Sequence, residues 1–352
     1  MAKKRVDKSR FSVTPIENVA QLESKLSEPT EGAIETAKET GGDLLILGAG
    51  GKIGPTMAQM AARACDLAGV KHNIKAVSAV YSQQARRRLK KLGVETIKAD
   101  LLAPGAFDEL PDAENVLYMI GQKFGSTGAE WNTWGVNVLL AGLAARRYRA
   151  SRVVAFSSGN IYPFVPVGRG ATESTAPDPV GEYAMSCLGR ERMFEYYAHN
   201  EGARVLHYRL NYAVELRYGI LYDVGYKVWT GKPVDVTMGF VNVVWQGYAN
   251  SAALQSFVLA GSPPAVLNVT GPETVSIRRV AGRFGELMGK EPKVVGEEAP
   301  TALLSDASRC HKLFGYPQVN VDTVIEWVAY WIMSGGTALG KPTHYETRDG
   351  KF

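Results

Sequence analysis

The chain is poor in cysteine. Its 352 residues include three, Cys65, Cys187 and Cys310, an odd number at wide spacing. That excludes a disulfide framework and suits a reducing compartment, so the expected location is the cytoplasm. Its five histidines are scattered and form no short-spaced set with cysteine or carboxylate, so no metal is expected. No apolar run approaches the roughly 20 residues that cross a bilayer. Met1 to Phe11 is charged and lacks the apolar stretch of a secretory signal. Charge of one sign is scarce too. The net charge is +5, and Lys3, Lys4, Arg5, Lys8 and Arg10 against Asp7 place most of it in one arm. Such an arm reads as a solvated segment, so neither nucleic acid nor a membrane is expected as a partner.

What is present is globular. Apolar content of 45% and charged content of 21% are ordinary, and the length supports a substantial core. The most informative stretch is Asp43-Leu44-Leu45-Ile46-Leu47-Gly48-Ala49-Gly50-Gly51-Lys52-Ile53-Gly54. An apolar run of strand length meets glycines at G-x-x-G-x-x-G spacing, and a helix-like stretch from Pro55 to Ala68 follows. A helix N-terminus presents free N–H groups and partial positive charge, which suits a pyrophosphate. Gly48 serves the turn, Gly51 lets backbone approach a phosphate, and Gly54 lets the helix pack against the strand. Gly48, Gly50, Gly51, Lys52, Ile53 and Gly54 are thus the candidate cofactor cradle. The stricter G-x-G-x-x-G is not met, because Ile53 occupies its last position. A glycine cluster by itself is a weak signal, and its context decides it.

That context alternates. Residues 1–40 read as an extension, with Ile16, Val19, Leu22 and Leu26 at helical spacing implying one or two amphipathic helices. Ile74 to Val80 reads as a second strand. An acid near its end would bind an adenosine ribose, but Ser78 to Gln84 contains none, and Arg86, Arg87 and Arg88 follow. This leans toward NADP, with a solvated helix face as the alternative for the arginines. Strands are expected at Val94–Lys98, before Asp100 and Leu101, and at Asn115–Ile120, before Gly121. Trp131–Tyr148 reads as a long helix containing Asn137. Arg152–Phe156 reads as the fifth strand, running into Ser157-Ser158-Gly159-Asn160-Ile161-Tyr162. A helix from Gly181 to about Asn200 carries Tyr183, and a sixth strand, Ala203–Arg209, runs to Asn211. From Tyr212 to about Asn242 the alternation breaks. A last strand, Ala265–Val269, and helices around Ile277–Met288 and Val321–Met333 complete the chain. The tail after Gly335 is expected to be extended and packed on the surface. The pattern predicts an α/β fold, a doubly wound parallel Rossmann-type sheet with a smaller C-terminal substrate lobe. Its expected division is an extension at 1–40, a dinucleotide-binding domain at 41–211 plus 243–270, and a lobe and tail at 212–242 plus 271–352.

These residues resemble the extended short-chain dehydrogenase/reductase family, the NAD(P)-dependent epimerases and dehydratases of sugars. The resemblance runs from about 43 to 330. It is carried by the glycine turn, Asp100, Asn137, Ser-Ser-x-x-Ile-Tyr at Ser157–Tyr162, Tyr183, Arg209-Leu210-Asn211 and Leu267-Asn268-Val269-Thr270. Ser158 and Tyr183 are 25 residues apart, the spacing of the family's catalytic pair. The resemblance implies that Ser158 and Tyr183 are catalytic. It implies that Gly48 to Gly54, Ser78, Asp100, Leu101, Gly121, Asn137 and Tyr183 serve NAD(P), and that two long helices form a homodimer.

One position departs. Four residues after its tyrosine the family has a lysine, which binds the nicotinamide ribose and lowers the tyrosine pKa; Cys187 stands there. A free phenol titrates near 10, too high for proton transfer at neutral pH. Lys123, Arg190 and Arg192 are the cations available to supply the missing charge. Cys187 itself reads as a small buried filler, and Cys310-His311 as structural. Asn160, Asn211 and Tyr218 join Ser158 as substrate-contact candidates. Gly159-Asn160 replace the Asp-Glu of the dehydratases, and Met238-Gly239-Phe240 lacks the arginine that meets a nucleotide-sugar diphosphate. The expected activity is oxidoreduction or epimerisation at a secondary alcohol of a sugar, sugar acid or polyol. The alternative is a non-catalytic NAD(P)-binding sensor or regulatory protein.

Overall fold

The structure is a computed structural model that describes residues 6–351 except 124 and 126. Residues 1–5, which hold three lysines and arginines of the basic arm, lie outside the described residues.

Seven strands form one parallel sheet: β1 (Leu44–Leu47), β2 (Ile74–Ser78), β3 (Glu95–Lys98), β4 (Asn115–Tyr118), β5 (Arg152–Ser158), β6 (Arg204–Leu210) and β7 (Ala265–Val269). Their spatial order is β7-β6-β5-β4-β1-β2-β3. All four residues of β1 are buried, as an inner parallel strand covered on both faces requires. Leu44 to Leu47 pair in register with Ile74 to Val77 on one side and Asn115 to Tyr118 on the other. The chain order reverses between β1 and β4, and in such sheets a ligand crevice opens there, beyond the carboxyl ends of the strands. This is the doubly wound α/β architecture that the alternation implied.

Helices cover both faces. Gly54–Ala68 and Gln246–Gln255 lie on one, and Leu140–Arg147 and Gly181–Glu201 on the other. The long helix expected at Trp131–Tyr148 is helical throughout, with one wider turn at Gly135–Leu139 between Glu130–Trp134 and Leu140–Arg147. The N-terminal stretch holds two helices, Val19–Leu26 and Glu31–Thr40. They are tied to the body by Asn250, which donates to the Leu26 carbonyl at 3.0 Å, and by Ser251, 2.6 Å from Thr30 Oγ1.

The sheet does not supply the whole core. Val214, Ile220, Leu221 and Val224 pack with Ile277, Phe284, Val328 and Trp331 in a second cluster, which also takes in Phe11, Leu22 and Leu26. Phe11 meets Tyr330 edge-on with ring centres 5.6 Å apart, and Trp327 donates to the Thr14 carbonyl at 2.9 Å. The tail is not loose on this body. Thr343 and Tyr345 are buried, and Arg348 Nη1 donates to the Thr301 carbonyl at 2.8 Å.

Candidate active site

The glycine turn is forced by packing. Gly48 has φ +86°, and a Cβ there would lie 2.9 Å from the backbone of Met119 and Ile120. A Cβ on Gly54 would stand 2.3 Å from the Ala49 carbonyl oxygen. At Gly51 the nearest such contact is the Gly48 carbonyl oxygen at 3.4 Å, so a Cβ there meets only van der Waals contact. The helix that follows begins at Gly54 without a side-chain cap. Its first N–H groups therefore have no partner from a capping side chain, as an anion-binding helix start requires.

This turn opens into a cleft of about 370 Å³ at the carboxyl ends of β1, β4 and β5. Gly48, Gly51, Lys52, Ile53, Gly54 and Gly121 line its cofactor side. Ser158, Asn160, Tyr183 and Tyr218 line the same cleft, so one space joins the expected cradle to the expected catalytic pair. Among the described residues the lining contains Lys52, Lys123 and Lys341 and no carboxylate.

Ser158 ends β5 and caps the short turn Gly159–Ile161, accepting from the Asn160 amide at 3.1 Å. Tyr183 stands in the first turn of Gly181–Glu201, where Ser158 and Cys187 both act on the ionisation of its hydroxyl. Burial and the Cys187 thiol hold Tyr183 well above the ordinary phenol pKa, while Arg190 and Ser158 pull it down. Burial likewise raises the Cys187 thiol. Lys123 comes from the loop after β4. Its Nζ is 5.8 Å from the centre of the Tyr183 ring and donates to the Thr343 carbonyl at 3.3 Å. Burial pulls Lys123 down to about 8, opposed by Cys187, Asp223 and Glu346. Lys52 is lowered to about 8 by burial as well, with Glu215 opposing. Its Nζ donates to the Ala213 carbonyl at 2.9 Å and sits 4.2 Å above the Tyr218 ring centre.

Other expected site residues lie behind the cleft wall. Asn137 is fully buried. Its Oδ1 accepts from the Gln122 amide and from Arg190 Nη2, both at 2.8 Å, and its Nδ2 donates to Ser186 Oγ at 2.8 Å. It thereby ties the β4 loop to the Tyr183 helix. Gly121 is small for a reason, since a Cβ would meet Arg190 Nη2 at 2.8 Å. Asn211 is buried against Gly159, where a Cβ would reach its side chain at 3.0 Å. Ser78, Gly50, Asp100 and Leu101 lie toward β2 and β3, outside the cleft lining. A Cβ on Gly50 would strike the Val80 carbonyl oxygen and Ser78 Oγ, and Asp100 accepts from the Leu102 amide at 3.1 Å. Of the three arginines there, Arg86 donates to Thr96 Oγ1 and Arg88 pairs with Glu23.

The motif residues Tyr162, Arg209 and Asn268 form one buried network. Tyr162 donates to Asn268 Oδ1 at 2.8 Å, and Arg209 donates to Tyr162 at 2.7 Å and to Glu191 at 2.7 Å. Glu191, Glu195 and His207 are the described residues that come nearest to a metal-ligand set, within 4.8 Å of one another. Glu191 is already paired with Arg209 and Glu195 with Arg192, which leaves no uncompensated negative charge for a cation. Sequence reasoning missed Tyr212, Lys341 and Thr343 as cleft residues. Tyr212 has φ +48°, a conformation rare for a tyrosine. Lys341 and Thr343 arrive from the tail, for which no local pattern gave a signal.

Residues 44–214 match the model of the NAD dependent epimerase/dehydratase family. Over these residues the chain is similar to that family. The epimerase/dehydratase match spans the glycine turn, Ser158 and Tyr183, and it ends at Val214, a residue of the second core. Solved structures extend the likeness in fold to most of the chain. The Thermus thermophilus UDP-glucose 4-epimerase in complex with NAD is 20% identical with TM-score 0.67, covering 82% of this chain and 98% of that one. The Bacillus cereus UDP-glucuronic acid 4-epimerase in complex with NAD is 15% identical with TM-score 0.68, at the same coverage. The Bacillus anthracis dTDP-glucose 4,6-dehydratase in complex with NAD is 13% identical with TM-score 0.70, covering 82% and 96%. At these identities the likeness is one of fold. No curated protein matches the chain in sequence.

Proposed function

We propose that this protein is an NAD(P)-dependent oxidoreductase or epimerase acting on a secondary alcohol of a sugar, sugar acid or related polyol. The observation that carries the reading is that the glycine cradle and the Ser158–Tyr183 pair face one cleft. The cradle fits a dinucleotide: side chains are excluded at Gly48 and Gly54, Gly51 lines the cleft, and the helix start is uncapped. Gly48 to Gly54 and Lys52 would hold its pyrophosphate. When bound, such a group supplies reversible hydride transfer at a carbon.

The chain's own residues do the rest. Tyr183 takes the proton from the substrate hydroxyl, and Ser158 hydrogen-bonds the same oxygen and orients it. Asn137 and Arg190 hold the wall behind them. A cleft with three lysines and no acid favours a substrate carrying negative charge, among the expected classes a sugar acid. No arginine stands at Met238–Phe240. Arg348 comes within 3.4 Å of Met238 Sδ but is spent on Thr301, which supports a substrate smaller than a nucleotide sugar.

The NADP lean is weakened, since two of the three arginines are engaged elsewhere and the three similar structures above are complexes with NAD. Comparative affinity for the two dinucleotides decides it. A homodimer through Glu130–Arg147 and Gly181–Glu201 is supported by Trp131, Leu139, Met185 and Tyr196, which are 70%, 56%, 45% and 59% exposed on that face. Cys187 in the lysine's place favours a second reading, a dinucleotide-binding sensor without turnover. Tyr183→Phe separates the two. Loss of hydride transfer from sugars and sugar acids, with dinucleotide affinity kept within about threefold, supports the enzyme. Wild-type protein that binds the dinucleotide but oxidises none of them supports the sensor.

A further inference from the structure

One wall of the cleft is supplied by the C-terminal tail, and that wall is fixed at both ends. The Leu339 amide donates to the Arg217 carbonyl at 3.1 Å, next to Tyr218, whose ring lies under the Lys52 ammonium. Further along, the Thr343 amide and hydroxyl donate to Asp223 Oδ2 at 2.7 and 2.6 Å, and the Thr343 carbonyl accepts from Lys123 at 3.3 Å. The chain between Leu339 and Thr343 spans at most about 14 Å when extended. The tail therefore runs from the Lys52–Tyr218 clasp, at the cofactor end, to the Lys123 side of Tyr183. Beyond Thr343, Tyr345 donates to the Asp235 carbonyl at 3.1 Å and Arg348 lies 4.3 Å over the Phe164 ring. Lys341 is at the middle of the stretch so fixed, and it lines the cleft.

The three cleft lysines are not equivalent. Lys52 is engaged by the Ala213 carbonyl and the Tyr218 ring, and Lys123 by the Thr343 carbonyl. Lys341 is exposed and, among the described residues, has no hydrogen-bond or ion-pair partner. The acids closest to it in the tail are turned elsewhere: Glu346 lies 3.4 Å from Lys227, and Asp349 lies 3.6 Å from Lys351. No carboxylate among the described residues lines the cleft to compensate it. The cleft thus holds one ammonium that the protein leaves unneutralised, on the wall between the pyrophosphate cradle and the Ser158–Tyr183 pair. An ammonium on a flexible stem is a compact point charge that suits a carboxylate.

We propose that Lys341 is a specificity-determining residue of this cleft: its ammonium receives the carboxylate of a sugar acid whose secondary alcohol lies at Ser158 and Tyr183. The proposal rests on the reading of Ser158 and Tyr183 as the reacting pair, and it narrows the substrate to the acid class. The dinucleotide has its own cation, Lys52, beside the glycine turn, which leaves Lys341 for the substrate. Recognition of the acid then depends on the tail, because the tail alone carries this charge into the cleft.

The test is calorimetric titration of the full chain at low salt with two matched pairs of probes, D-glucuronate against D-glucose and D-gluconate against D-glucitol. Each pair differs in a carboxylate against a hydroxymethyl group. The titrations are run with and without oxidised nicotinamide dinucleotide. In the wild type at least one acid should bind more tightly than its neutral partner, and added salt should narrow the gap. Lys341→Met should cut the acid-to-neutral affinity ratio about fivefold or more, and Lys341→Arg should restore most of it. A merely structural loss would weaken both members of a pair and leave their ratio unchanged. A wild type with no preference for either acid, or an equal ratio in Lys341→Met, would overturn the proposal. So would a fall in dinucleotide affinity as large as the fall for the acid, since the ammonium would then serve the pyrophosphate. Failure to bind a dinucleotide would sink the functional reading, while the titrations without it still measure what Lys341 does for an acid.

Discussion

The Lys52 ammonium rests 4.2 Å above the ring of Tyr218 and donates to the Ala213 carbonyl at 2.9 Å. A residue of the glycine turn is thus clasped by the start of the second core, and the contact closes the cleft at its cofactor end. The charge on Lys52 is the one nearest the site of a pyrophosphate, and burial has brought its pKa to about 8. Dinucleotide affinity should therefore fall as pH rises from about 7 to about 9, as that charge is lost. Lys52→Met should bind roughly tenfold more weakly at pH 7 and flatten the pH dependence. Isothermal titration across that range checks both.

The same residue makes a stability prediction of opposite sense. Lys52 titrates lower folded than unfolded, where about 10.4 applies. Between about 8 and 10 the unfolded chain binds more protons, so this lysine's contribution to stability improves with rising pH. The pH slope of stability measured by urea unfolding should be less positive in Lys52→Met than in wild type over that interval.

Gly54→Ala would set a methyl group 2.3 Å from the Ala49 carbonyl oxygen. The turn must then open or the helix must move. The expected cost is about 1–3 kcal/mol of stability, as for overpacking in a core, with at least tenfold weaker dinucleotide binding. Gly69→Ala is the control. Its helix-end glycine has φ +68° but no neighbour within 4 Å, so it should lose stability without losing relative affinity. Thermal melts with and without dinucleotide separate the two cases.

Much of this was legible in the sequence because local pattern encodes it. The strand Ala265–Val269 and the helices Ile277–Met288 and Val321–Met333 match their expected bounds, since each has a clear apolar period and polar ends. The helix Gln246–Gln255 was not visible because all ten of its residues are buried, which leaves no polar stripe to give a period. Ile220–Thr230 was hidden in a stretch rich in aromatics and glycine. The family resemblance singled out Ser158 and Tyr183, 25 residues apart, and both line the cleft. Lys123 was one of three candidate cations, and only the structure sets it 5.8 Å from the Tyr183 ring centre. Nothing local marked Thr343, because its role depends on Asp223, far away in the chain.

That distant link is testable alone. Asp223 accepts two hydrogen bonds from Thr343, and the tail reaches on to Gly350 against Gly181. Asp223→Ala should release the tail and make residues 336–351 at least several-fold more sensitive to limited proteolysis. Cleavage elsewhere should be unchanged. Mass spectrometry of the fragments distinguishes a freed tail from general unfolding.

The central claim is that the first βα corner and the cleft beyond it receive a nicotinamide dinucleotide. Calorimetric titration of the purified, folded chain with oxidised and then reduced nicotinamide dinucleotides tests it most directly. The account predicts saturable heat at a single site per chain, abolished or strongly weakened in Gly54→Ala. No heat of association from either dinucleotide, with the protein intact by circular dichroism, would contradict it.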